Sequence, residues 1–119
     1  MVKVYRASEA EVKSRAGYGA KYVADISFKN PVENAGFILV KIPPTMKTNP
    51  HAHGKLEEAF MIMNPTIMGV DETLYELDEG DVVLVEPGER HWFQTPDGGA
   101  VTIIAVKLPN LKDDKIEND

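Results

Sequence analysis

Apolar and polar positions alternate in short runs along most of the chain, and the runs are bounded by turn residues, a pattern that predicts strands. The runs fall at 22–28, 36–42, 59–63, 67–70, 73–77, 81–85, 91–95 and 100–108. Between them stand Asn30-Pro31, Pro43-Pro44, Asn64-Pro65, Asp71-Glu72, Glu79-Gly80, Pro87-Gly88 and the stretch Pro96 to Gly99. Such residues reverse the chain or withhold a backbone donor. Strand after strand without alternating helices favours an antiparallel sandwich or barrel. One short helix is expected near the N-terminus, over 8–15, because Ser8 and Glu11 have capping-box spacing and Gly17 and Gly19 stop what they start. The polar tail, 110–119, is expected to fray.

Composition narrows the function classes. At 119 residues and 43% hydrophobic content, one domain over 1–119 with a compact core is expected. Lys plus Arg number 13 against 19 for Asp plus Glu, a net charge of −6, which argues against nucleic acid and anionic membrane as partners. Cysteine is absent, so disulfides, thiolate metal ligands and thiol nucleophiles are excluded together. The first residues lack an apolar signal core, and the apolar stretch 101–106 is far too short for a bilayer. The expectation is a soluble cytoplasmic protein.

Chemistry concentrates on the three histidines. His51 and His53 are two apart, so on a strand both imidazoles face one side, and Glu57 and Glu58 follow closely. His91 comes after a Gly80-Asp81 opening, an apolar run and the Pro87-Gly88 reversal, which places it at the start of another strand. Neutral imidazole with carboxylate suits a divalent transition metal, Mn, Fe, Co, Ni, Cu or Zn, and four protein ligands leave positions open for substrate. The rival reading, histidines spaced by chance, has to explain two segments at once. Other nucleophiles are weak: Ser8, Ser14 and Ser27 lie in no Gly-x-Ser-x-Gly elbow, and Gly17-Tyr18-Gly19 lacks the rest of a phosphate-binding signature.

Over 36–107 these segments resemble the cupin superfamily. Its first motif sets a His-x-His and a Glu between two glycines, and its second runs Gly, Pro-x-Gly, His, Asn. Here Thr45 stands at the leading Gly, Asn64 or Pro65 at the closing one, Glu86 at the Pro and Thr95 at the Asn, and no departure touches a ligand position. The resemblance implies an all-β fold, an antiparallel double-stranded β-helix (the jelly-roll or cupin barrel), with one metal held by His51, His53, a glutamate and His91. The motif's spacer admits either glutamate. Parity favours Glu58, which shares a face with Phe60 and Ile62, whereas Glu57 sides with Ala59, Met61 and Met63 and would be a solvated charge. By the same parity Phe93 accompanies His91 inward, and Trp92 points outward to packing or a subunit contact.

The resemblance further implies metal-dependent chemistry on a small oxygenated molecule: dioxygenation, decarboxylation or sugar isomerisation. The alternative is a noncatalytic module that binds a metal or a small-molecule ligand. Outward Met61, Met63 and Trp92 would leave an apolar patch best covered in a homodimer.

Overall fold

The structure, a computed structural model, describes residues 1–96 and 99–117. Among these the chain is almost entirely β. The strands are β1 (Lys3–Tyr5), β2 (Val12–Arg15), β3 (Tyr18–Lys21), β4 (Gly36–Ile42), β5 (His51–His53) and β6 (Glu57–Ile62). They continue with β7 (Thr66–Val70), β8 (Thr73–Leu77), β9 (Val82–Val85), β10 (His91–Gln94), β11 (Val101–Leu108) and β12 (Lys115–Glu117). Two five-stranded sheets form, ordered β1-β9-β6-β11-β4 and β12-β5-β10-β7-β8, with every described pairing antiparallel.

Period-two alternation explains how the sheets pack. On β11, Val101, Ile103 and Ala105 are buried while Thr102, Ile104 and Val106 are only half-buried. Phe60 and Ile62 on β6 and Val83 and Val85 on β9 turn inward beside them, to meet Met68, Val70, Leu77 and Phe93 from the second sheet in one apolar cluster. Removing these side chains from water is the main force holding the layers together.

Three expectations need correction. No helix forms over 8–15: a single 3-10 turn, Ala7–Glu9, is followed by β2, which pairs with β3 around Gly17 at φ 85. The capping spacing was present, but Ser8 is not the capping residue, Arg6 in that place makes no side-chain cap bond, and Val12 stays 60% exposed. With no apolar stripe to bury, so short a helix gains too little. The turn is held instead by buried Asp81, whose carboxylate accepts the Ala7 and Asp78 amides and an Arg6 N–H.

Segment 22–28 carries no ladder either. Its alternation survives as half-buried Val23, Ile26 and Phe28 beside exposed Asp25 and Ser27. The tail does not fray through its described part, since β12 pairs with β5 in the register Lys115↔His53, Ile116↔Ala52, Glu117↔His51; Asn118 and Asp119 lie outside the described residues. No described helix is long and apolar enough to cross a membrane.

Candidate metal centre

Three strands from two sheets bring the three histidines and Glu58 to one point. In the second sheet His51 lies directly opposite His91 in the β5–β10 pairing, and the ring centroids stand 4.4 Å apart. His53, two residues along β5, turns to the same side, its ring 5.2 Å from that of His51. Glu58 reaches across from β6 of the first sheet. One potential ligand atom from each of His51, His53, Glu58 and His91 lies within 4.8 Å of all the others.

The turns between these strands are tied down by main-chain bonds. The short crossing from β5 to β6 is held by Asp114: its carboxylate accepts the Lys55 and Leu56 amides at 2.9 Å each, and its carbonyl accepts the Gly54 amide at 3.0 Å. The reversal before β10 needs Gly88 at φ 84, a conformation costly for a residue with a Cβ. The Gly88 amide donates to the His53 carbonyl at 2.8 Å, which links both histidine segments.

Burial and neighbouring groups set the state of each side chain in the cluster. His91 is fully buried, and its Nδ1 lies 3.1 Å from the Glu89 carbonyl. A carbonyl can only accept, so Nδ1 carries a proton, and in the neutral ring Nε2 is then a bare lone pair. That Nε2 is buried without a hydrogen bond, 3.4 Å from Glu58 Oε1. His53 Nε2 lies 2.9 Å from the same oxygen, while its Nδ1 is buried without a partner. Burial pushes the Glu58 carboxyl up, but the imidazoles of His53 and then His91 outweigh burial and hold it down at about 2. Burial, reinforced by the charges of His91, Lys115 and His53, lowers the His51 imidazole to about 4. Near neutral pH, His51 is therefore neutral and Glu58 ionised, the states that bind metals. The donor set fits a divalent transition ion.

The two glutamates are sharply separated. Glu58 shares its inward face with Phe60 and Ile62, 3% and 0% exposed, while Met61 on the other face is 40% exposed. Glu57 points away from the histidines, but it is not solvated: it is 1% exposed, and its carboxylate accepts the Lys29 amide at 2.8 Å. Parity gives the correct face; the overlying segment that buries Glu57 has no local signal.

A cavity of about 240 Å³ opens beside the cluster, lined by His51, His53 and Glu58, by Ile38, Val40, Phe60, Phe93 and Ala105, and by Thr48, Lys107 and Lys115. Phe60 stands edge-on to Phe93 at 5.1 Å and 5.5 Å from the His91 ring. Phe93 thus lines the cavity, as its parity with His91 predicts. Trp92 packs on its own sheet, over Gly69, where a Cβ would come within 2.0 Å of the indole, and Lys47 sits above the ring. Lys107 and Lys115 were not singled out in the sequence. Lys107 continues the inward series Val101, Ile103, Ala105, a signal that was legible; Lys115 carries none.

No protein-family model matches the chain, and no curated protein sequence does. Solved structures do. A cupin protein from Bacteroides fragilis aligns with a TM-score of 0.61 at 16% identity, over 68% of this chain and 70% of that one. A dTDP sugar isomerase from Desulfovibrio desulfuricans aligns with a TM-score of 0.69 at 7% identity, over 99% and 83%. An oxalate decarboxylase from Lactobacillus farciminis, solved as a formate complex, aligns at 0.63 and 19% identity, over 71% of this chain but 26% of that longer one. The chain has the fold of these proteins, the antiparallel double-stranded β-helix of cupins.

Proposed function

We propose that His51, His53, Glu58 and His91 hold one divalent transition metal, and that the protein is a metal-dependent cupin acting on a small oxygenated molecule. The observation carrying this reading is the convergence of three imidazoles and one carboxylate, their ligand atoms within 4.8 Å of one another, in a largely buried place. His91 Nε2 and the Glu58 carboxylate stand 3.4 Å apart, and Nε2 is buried without a hydrogen bond; such a pair is satisfied only by a cation or a proton between them. When bound, the metal would supply Lewis acidity toward a substrate oxygen.

The chain's own residues supply the rest. The Glu89 carbonyl holds the His91 tautomer, Asp114 and the Gly88 amide hold the turns that aim His53 and Glu58, and Phe60 and Phe93 close the inner wall against water. Fold neighbours that include a decarboxylase and a sugar isomerase support lyase or isomerase chemistry beside dioxygenation. A noncatalytic binding module is the second reading. One observation favours it: among the described residues, the cavity lining beyond the proposed ligands offers lysines and a threonine but no carboxylate or imidazole held back for proton transfer.

The two readings part in a substrate screen of metal-loaded protein. Turnover that disappears in His91→Ala and on chelation, and returns to chelated wild type with one particular metal, supports the enzyme. Conversion surviving both changes excludes the metal mechanism, and saturable binding without conversion selects the module. The reading includes a homodimer, supported by exposed Phe37, Leu39, Met61 and Met63.

A further inference from the structure

Two lysines line the cavity, one from each sheet. In the β6–β11 ladder Lys107 is the direct partner of Glu58, and in the β5–β12 ladder Lys115 is the direct partner of His53. Directly opposed residues share a face of their sheet, so both stems start on the inward side, next to a proposed metal ligand, and both line the cavity. The chain as a whole carries a charge of −6, yet this cavity gathers two ammonium groups beside a site built for a cation. Two ammonium groups against the single Glu58 carboxylate give the described lining a positive balance, which favours anions.

The remaining walls limit what kind of anion fits. Apart from the Thr48 hydroxyl, Ile38, Val40, Phe60, Phe93 and Ala105 offer no hydrogen-bonding side chains, so a polyol would leave most of its hydroxyls unmatched there. A volume of about 240 Å³ also falls below the roughly 300–1,000 Å³ of pockets that take drug-sized ligands, too little for a nucleotide-linked sugar.

We infer that the substrate is a small organic carboxylate with an apolar carbon skeleton, its carboxylate held by Lys107 and Lys115 and the rest of it lying along the apolar wall beside the metal site. This rests on the proposed metal reading for the site and on the two lysines for the carboxylate. The two can therefore fail separately.

The test is direct binding, measured calorimetrically with benzoate and its neutral isostere benzamide, on zinc-loaded and metal-free protein. Zinc adds no redox chemistry. The expected result is benzoate binding that weakens about tenfold or more in the double variant Lys107→Gln, Lys115→Gln, the scale of a lost charge-assisted contact. Benzamide binding should not respond to that change. Zinc uptake should equal that of wild type, and the charge-retaining double variant Lys107→Arg, Lys115→Arg should recover benzoate affinity to within a few-fold. Benzoate binding that ignores the lysines, or is absent from zinc-loaded wild type, would overturn the inference. So would inorganic phosphate binding at least as tightly as benzoate, since an apolar skeleton would then count for nothing. Failure of the metal reading alone would look different: no zinc uptake, with lysine-dependent benzoate binding intact in the metal-free protein.

Discussion

At the residue scale, three of the four departures from the cupin motifs are each matched by a local bond or conformation. Thr45, at the motif's leading glycine, still adopts φ 58, the left-handed conformation a glycine would take most easily. Glu86, at the motif's proline, donates its amide to Glu89 Oε1 at 2.8 Å, a bond proline cannot make. Thr95, at the motif's asparagine, accepts the Met46 amide at 3.0 Å. The glutamates yield the sharpest prediction at this scale. Glu58→Gln should weaken metal affinity by about tenfold or more, on the scale of lost site residues, whereas Glu57→Gln should leave affinity near wild type and lower thermal stability, because it alters the buried acceptor of the Lys29 amide. A metal titration and a melting curve on each variant check both halves. The pH dependence of the metal-free protein follows from the same residues. His51 falls from 6.5 to about 4 on folding, so the unfolded chain binds the proton first, and stability is lost as pH drops from about 6.5 toward 4. Glu58 falls from 4.5 to about 2, so its contribution is present above 4.5 and lost as pH falls toward 2. The two effects share a sign: denaturation midpoints should fall on acidification, and His51→Gln should flatten the upper part of the fall.

Elements were legible where alternation and turn residues agreed. β4 and β8 span the ranges that their runs predict, and β7, β9, β10 and β11 differ from theirs by single end residues. The inward face of β6, and with it the choice of Glu58, follows from side-chain parity alone. What stayed hidden depends on contacts between distant segments. β12 exists because β5 offers an edge to pair with, not because its own polar sequence asks for a strand, and the helix over 8–15 fails for want of a surface to bury against. Asp114, from the tail, is the clearest case. It holds the turn between His53 and Glu58, and the Leu56 and Lys55 amides draw its carboxyl below the usual range despite the opposing effect of burial. Asp114→Ala should cost about 1–2 kcal/mol of stability through two lost bonds to a charged acceptor, and should also weaken metal binding by loosening the ligand turn. Stability falling without any change in metal affinity would reduce Asp114 to a plain structural cap.

For the whole molecule, the structure redistributes the apolar patch from which a homodimer is expected. Met61 lies on the first sheet and Trp92 on the second, so the two are not one surface, and Trp92 is used in packing over Gly69. The continuous patch is the outer face of the first sheet. Ile104 is paired with Leu39 and Met61, and Val106 with Phe37 and Ala59, and Phe37 and Leu39 are 76% and 62% exposed at the β4 edge. So large an apolar face on an edge strand invites a second copy. Light scattering should give twice the chain mass of 13.2 kDa, and Phe37→Lys with Leu39→Lys should return the protein to monomer without unfolding it. A wild type that scatters as a monomer at micromolar concentration would refute the dimer.

The metal is the claim on which the rest depends, and elemental analysis tests it most directly. Protein purified without a histidine tag or chelator, then offered Mn, Fe, Co, Ni, Cu and Zn in turn, should retain close to one transition metal per chain. His91→Ala, still folded because the two-sheet core does not need the ion, should retain far less. Wild type that emerges metal-free and takes up none of the six would contradict the account.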